Sequence, residues 1–257
     1  MGDANPTEDK NALVTSYLRV RTAVGALAIL LPIMLSLSAI LFDAVEFVPS
    51  ISEFFFTPMR EALVGTIGAI AVFLISYKGY PRDEKRALSN RAEHWFTDRR
   101  VSYAAAIGAL GVASFPSRTD LDIVLSPEPL AFALMSIKAA GNLHTASAAL
   151  FFAALAVFCL SNFRRGAARE RRFLPGLTED GFYRACGIIL ILCILALGFV
   201  FLGNSAGSQA LKDLFKSLRV IFWIETIGLI TFAAAWLTKG KARQTVPLAL
   251  REIVGRT

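Results

Sequence analysis

Charged residues are scarce in this 257-residue chain, and their scarcity excludes most soluble folds. Asp, Glu, Lys and Arg make up 18% of the residues, against ~25% in an average soluble domain. Hydrophobic residues make up 55%, and the mean hydropathy is +0.55. A disordered chain and an ordinary cytosolic domain are therefore excluded. The composition indicates an integral membrane protein.

Residues that carry enzyme chemistry are also few. The chain has two histidines and three cysteines, and the cysteines lie in apolar segments without the spacing of a metal site. The sequence lacks the GxxxxGKS/T, GxSxG and HExxH motifs of nucleotide hydrolysis, serine hydrolysis and zinc proteases. We predict no cofactor and no metal, and the sequence leaves open whether the protein is an enzyme.

Six apolar segments approach the length of a transmembrane helix. The hydrocarbon core of a bilayer is ~30 Å thick, and a helix that crosses it needs about 20 apolar residues. We predict an all-α, polytopic transmembrane bundle of six helices that forms a single domain over residues 1–257. The predicted spans are 23–42, 62–77, 101–117, 139–163, 185–211 and 220–238. Segment 101–117 is the least hydrophobic, and its small residues suit a helix buried among the others.

The distribution of positive charge predicts the orientation of this bundle. With six spans, 21 of the 27 Lys and Arg residues fall on the side of both chain ends, and 6 fall on the other side. By the positive-inside rule both termini are cytoplasmic. The first apolar run is longer than the core of a signal peptide, so we interpret it as an uncleaved span. We predict a multi-pass protein of the bacterial inner membrane.

Basic residues cluster in two loops of the predicted cytoplasmic side, at 81–100 and 164–181. Such clusters set the topology of a membrane protein, and they can also bind anionic lipids. Phospholipids are therefore the expected partners of the excess positive charge, and nucleic acid is not. A membrane-protein partner or a homo-oligomer stays open.

Two ionisable residues lie well inside predicted spans, where such groups are costly and usually functional. His144 lies six residues after Lys138, and Glu225 lies six residues after Arg219. At 1.5 Å per residue each side chain is about 9 Å from the outer end of its helix. If the two helices are neighbours, a His–Glu pair there could hold a proton, orient a lipid headgroup or supply two metal ligands. The alternative is that each residue only bonds a neighbouring helix.

Further polar residues surround the same outer face, namely Ser52, Arg60, Asn142 and Arg219. The guanidinium of Arg60 can bind a phosphate or a carboxylate with two hydrogen bonds. A salt bridge between Arg60 and Glu53 or Glu61 is the alternative. Together with His144 and Glu225, these four residues are our candidate ligand-binding site.

Three stretches of the chain carry a resemblance to known proteins: SISEFFFTPMREALVGTIGAIAVFLISYKGYPRDE, GNLHTASAALFF and FWIETIGLITFAAAWLTKG. They resemble a group of uncharacterised bacterial six-helix inner-membrane proteins. That group is distantly similar in layout to the six-helix autophagy-modulator and GPI-remodelling proteins. The resemblance implies a six-helix fold and lipid handling, but no reaction. The positions that match its pattern are Ser52, Arg60, Tyr77-Lys78-Gly79-Tyr80, His144, Glu225 and Lys239-Gly240.

Two functional hypotheses follow from the sequence. The first is binding, transfer or remodelling of a lipid or amphiphile in the outer leaflet, with Arg60 on a phosphate and His144 and Glu225 as acid, base or polar anchor. The second is a non-enzymatic accessory or sensor subunit of a membrane complex, whose polar residues only pack helices. A proton-coupled carrier is a weaker third hypothesis, because we find no internal repeat.

Overall fold

A computed structural model describes residues 6–77, 79, 95–117, 129–165, 172–174 and 177–239. Lys78, Tyr80, Gly240 and most of the two basic loops lie outside these residues. The helices are α1 (Pro6–Leu41), α2 (Arg60–Ser76), α3 (Asp98–Ser114), α4 (Leu130–Leu134), α5 (Ile137–Val157), α6 (Glu179–Ala206), α7 (Gln209–Ser217) and α8 (Val220–Lys239). A 3-10 helix covers Ser52–Phe56, and a π-helical turn, Phe158–Asn162, continues α5.

The prediction of an all-α fold is confirmed, apart from one short hairpin. Two antiparallel strands, β1 (Arg172–Leu174) and β2 (Leu177–Thr178), precede α6. Four helical segments are long and apolar enough to cross a membrane: Arg21–Leu41, Ile137–Asn162, Glu179–Gly203 and Val220–Lys239. Helices α2 and α3 occupy the two other predicted segments and have 17 residues each. The four long apolar helical segments indicate a multi-pass membrane protein.

The fifth predicted span, 185–211, is interrupted in the structure. Helix α6 ends at Ala206, and α7 begins after Ser208, whose hydroxyl accepts a hydrogen bond from the backbone N–H of Leu211. Lys212, Asp213 and Lys216 lie on one side of α7, and the apolar residues lie on the other. Helix α7 is therefore amphipathic, as helices that lie in a membrane interface are.

The six long helices form a ring in chain order. Contacts join α1 to α2, α2 to α3, α3 to α5, α5 to α6, α6 to α8, and α8 back to α1. Neighbouring helices are antiparallel, so the bundle has two ends. We call them the Asp98 end, where α3 begins, and the Glu225 end, where α8 begins. Helices α5 and α8 lie on either side of α6 in this ring.

The outer surface of the ring is apolar. Side chains of α1, α2, α6 and α8 expose large hydrophobic groups there, among them Leu30, Ile40, Val72, Leu192, Leu195, Phe199, Leu202, Trp223 and Ile227. An apolar surface of this extent is unusual for a soluble monomer. It suits contact with lipid chains.

Helices α3 and α5 approach each other most closely at two glycines of α3. A Cβ at Gly108 would lie 2.7 Å from the backbone N of Phe151 and 2.8 Å from the carbonyl O of Ser147. A Cβ at Gly111 would lie 2.6 Å from the Ser147 Cβ. Because backbone atoms cannot yield as side chains do, Gly108 in particular sets the distance between the two helices.

We predict that Gly108→Ala destabilises the protein although alanine is the better helix former. The new methyl group must push α5 away, at a cost of about 1–3 kcal/mol in the free energy of unfolding. Gly68→Ala is the matched control, because a Cβ at Gly68 meets nothing within 4 Å. It should be neutral or stabilise the protein by up to about 1 kcal/mol. Thermal unfolding in detergent, followed by circular dichroism, measures both, and equal effects would contradict the close approach.

Candidate functional site

Glu225 holds the segment that precedes α2. One carboxylate oxygen accepts a hydrogen bond from the backbone N–H of Ile51 (2.7 Å), and the other accepts one from the hydroxyl of Ser52 (3.1 Å). The Phe222 N–H donates to the carbonyl of Pro49 at 2.9 Å. The predicted residues Ser52 and Glu225 therefore meet, and their contact ties the second turn of α8 to the start of the 3-10 helix.

Two predicted arginines bind the same segment through backbone carbonyls. The Nε of Arg219 donates to the carbonyl O of Phe47 at 3.1 Å, and its guanidinium lies 4.6 Å from the centre of the Phe47 ring. The Nε of Arg60 donates to the carbonyl O of Phe55 at 3.0 Å. Arg219 adopts a left-handed conformation (φ 50°) at the junction of α7 and α8, which costs a residue other than glycine about 1–2 kcal/mol. These contacts assign Arg60 and Arg219 a role in positioning residues 47–56.

His144 has a different partner from Glu225. Its Nδ1 lies 2.7 Å from the carbonyl O of Phe115, the residue that follows α3, so the imidazole donates this hydrogen bond. The side chain is buried, whereas Asn142, two residues closer to the start of α5, is exposed. No hydrogen bond or ion pair joins His144 to Glu225, both of which the structure describes. Helices α5 and α8 touch farther toward the Asp98 end, where a Cβ at Gly228 would collide with the ring of Phe152.

A second set of buried polar residues lies at the opposite end of the bundle. Asp98 is only 6% exposed, and each of its carboxylate oxygens accepts a hydrogen bond. The Asn162 amide donates to Oδ1 at 2.6 Å, and the Tyr77 hydroxyl donates to Oδ2 at 3.3 Å. Arg165 Nη1 lies 3.8 Å from Oδ1. Gly79, at φ 65°, passes so close to Asp98 that any Cβ at position 79 would collide with that side chain.

Two buried cations complete this end. The guanidinium of Arg21 lies 5.2 Å from the centre of the Tyr77 ring and 5.3 Å from that of Trp236, so the two ring faces stabilise its charge. The ammonium of Lys239 donates to the carbonyl oxygens of Phe163 (2.8 Å) and Arg165 (3.0 Å). Both cations are thus stabilised by groups within the protein.

Sequence reasoning assigned Arg21, Asp98 and Asn162 no role. Arg21 and Asp98 were placed in cytoplasmic segments, because the spans were bounded by hydropathy alone. Thr97 is the sequence signal for the start of α3, because Thr is a favoured residue just before a helix, as in Thr-Asp-Arg-Arg. In the structure the Thr97 hydroxyl accepts a hydrogen bond from the Arg100 N–H at 3.3 Å. That start extends α3 to Asp98 and brings the carboxylate to the bundle.

A groove of about 320 Å³ runs between α3 and α5 and opens on the outer surface of the bundle. Small side chains, Ala104, Ala153 and Ala154, leave this space between bulkier neighbours. Nine residues line it: Trp95, Phe96, Arg100, Val101, Ala104, Leu150, Ala153, Ala154 and Val157. All but Arg100 are apolar, and Arg100 lies at the Asp98 end of the groove.

The mouth of the groove, formed by Trp95, Phe96 and Arg100, is held by two polar residues, Asn162 and Arg165. The carbonyl O of Phe96 accepts hydrogen bonds from the Asn162 amide (3.1 Å) and from the guanidinium of Arg165 (2.8 Å). The guanidinium of Arg100 lies 5.9 Å from the centre of the Trp95 ring. The structure therefore fixes an arginine and two aromatic residues at one end of an apolar channel.

Among the described residues, no group of three His, Cys, Asp or Glu side chains is placed to hold a metal ion. Cys159, Cys186 and Cys193 are buried and unbridged. In comparisons with protein-family models, curated proteins and solved structures, nothing matches this chain. The residues of the chain itself carry the functional argument.

We predict that Glu225→Ala releases the segment before α2. The Ile51 N–H loses its acceptor, so its hydrogen exchange should become faster. Ser52→Ala is the comparison, because it removes only the hydroxyl contact and leaves the Ile51 bond in place. Hydrogen–deuterium exchange of peptides covering residues 47–56 measures the effect. Unchanged exchange in Glu225→Ala would show that the carboxylate is not what holds the segment.

We predict that Asp98→Ala is among the most destabilising substitutions in the protein. It leaves the Asn162 amide, the Tyr77 hydroxyl and Arg165 without their shared acceptor, which costs about 3 kcal/mol in the free energy of unfolding. Asp213→Ala, on the exposed face of α7, should change it by no more than about 0.5 kcal/mol. Denaturant titration of both variants in the same detergent tests this difference.

Proposed function

We propose that this protein binds a lipid or a related amphiphile in the groove between α3 and α5. The groove carries the proposal because its chemistry is that of an amphiphile: an apolar channel with a single cationic side chain at one end. Its volume of about 320 Å³ is within the range of ~300–1,000 Å³ for small-molecule sites.

The proposal includes the topology expected from the sequence. The chain is a six-span protein of the bacterial inner membrane with both termini in the cytoplasm. Helices α2 and α3 cross the bilayer with 17 residues each, about 26 Å of helix. They lie side by side between α1 and α5, and with the four longer helices they complete the ring.

The proposed site lies at the opposite end of the bundle from the candidate residues of the sequence. Glu225, Arg60 and Arg219 bind backbone atoms of residues 47–55, and His144 binds the backbone of Phe115. The groove instead begins at the Asp98 end, which the charge distribution predicts to be cytoplasmic. Its ligand therefore belongs to the cytoplasmic leaflet and not to the outer one.

A non-enzymatic accessory or sensor subunit is the second candidate function. The observation that favours it is that His144, Glu225 and Arg219 each bond a backbone atom of this chain, as residues that only pack helices do. Native mass spectrometry of the complex extracted from its own membranes separates the two functions. A defined stoichiometric protein partner without bound lipid supports the accessory subunit, and bound lipid supports the groove.

We predict that Ala153→Trp abolishes lipid retention because the indole fills the groove. Ala146→Trp is the control: Ala146 is also exposed on α5, seven residues earlier, about 10 Å along the helix, and it does not line the groove. Native mass spectrometry of protein released from lipid nanodiscs measures the lipid-bound fraction. The proposal fails if Ala153→Trp retains as much lipid as the control.

A further inference from the structure

We propose that the groove selects an anionic glycerophospholipid, whose phosphate lies against Arg100 and whose acyl chain follows α5. This inference rests on the proposed function and names the ligand class of the same site. It depends on the charges at the mouth of the groove, on the depth of the mouth in the membrane, and on the direction in which the groove runs along α5.

The mouth presents positive charge. Arg100 belongs to the lining itself, and Arg165 bonds the carbonyl of Phe96 directly behind it. Asp98 is buried, accepts hydrogen bonds from Asn162 and Tyr77, and offsets the charge of Arg165, whose Nη1 lies 3.8 Å from its Oδ1. Among the described residues that line the groove, Arg100 is the charged one, so a ligand at the mouth meets its guanidinium group.

Aromatic residues place the mouth at headgroup depth. Trp95 is 64% exposed and Phe96 is 43% exposed, and both line the groove beside Arg100. Exposed Trp side chains concentrate at the boundary between headgroups and hydrocarbon. An arginine at that level reaches a lipid phosphate, with which guanidinium forms short charge-assisted hydrogen bonds.

The channel leads from this level into the hydrocarbon. On α5 its lining runs from Val157 back to Leu150, with Ala153 and Ala154 between them. Seven residues of helix correspond to about 10 Å, which accommodates the upper part of an acyl chain. A soluble phosphate compound has no apolar chain to fill this part of the site, so the occupant is a membrane lipid.

The preference for an anionic lipid follows from the net charge of the lipid. A zwitterionic headgroup brings its own ammonium group beside Arg100, whereas an anionic headgroup brings only negative charge. Basic residues near a membrane surface each favour anionic lipid. The contact with Arg100 should therefore discriminate between headgroups, while the apolar channel binds the chains of both.

The test is competition between two lipids with identical acyl chains. Full-length protein is reconstituted in nanodiscs that contain equal amounts of phosphatidylglycerol and phosphatidylethanolamine, and the lipids it retains are identified by native mass spectrometry. We expect wild-type protein to retain phosphatidylglycerol about tenfold in preference. Arg100→Gln should reduce this ratio to near unity while the total amount of bound lipid changes little.

Arg99→Gln is the matched control. Arg99 is the adjacent arginine, it does not line the groove, and its Nε donates to the Tyr103 hydroxyl at 3.1 Å. It should keep the wild-type preference. An excess of glycerol phosphate, which has the headgroup chemistry without acyl chains, should not displace the lipid.

The outcomes separate this inference from the proposed function. If Arg100→Gln keeps the preference for phosphatidylglycerol, or if wild-type protein shows none, the headgroup assignment is wrong although lipid binding stands. If wild-type protein retains no lipid, or if Ala153→Trp retains it fully, the groove is not the site and both proposals fail. Displacement by glycerol phosphate would assign Arg100 to a soluble ligand.

Discussion

The buried carboxylate of Asp98 is the interaction on which the architecture depends. It accepts hydrogen bonds from Tyr77 at the end of α2 and from Asn162 in the π-helical turn after α5, while it belongs to the first turn of α3. Three neighbouring helices of the ring therefore meet at one side chain. A carboxylate removed from water is stable only when such partners surround it, so the helices must adopt one relative position.

The π-helical turn and the mouth of the groove follow from this contact. The turn carries Asn162, whose amide donates both to Asp98 and to the carbonyl O of Phe96. The segment that bears Trp95 and Arg100 is thereby attached to the end of α5. The buried cluster and the groove share the same hydrogen bonds, so the groove has a rigid second layer of support.

The opposite end of the bundle uses the same principle with a different carboxylate. Glu225 accepts a backbone N–H and a hydroxyl from residues 51–52, and Phe47, Phe54 and Phe222 pack beside it, with ring centroids 5.0–6.3 Å apart. The intramembrane ionisable residues singled out by their sequence depth thus have backbone partners. The groove is lined by apolar residues and Arg100, none of which depth in a predicted span singles out.

The sequence by itself determined the membrane character, the all-helical class and the approximate position of each long helix, because hydropathy is a property of local segments. It also identified Ser52, Arg60, His144, Arg219 and Glu225 as notable, but not their partners. Only the tertiary structure decided that His144 and Glu225 have different partners, that Asp98 joins three helices, and that alanines of α3 and α5 leave a groove. These features depend on the order and rotation of helices around the ring, which the packing of whole helices sets.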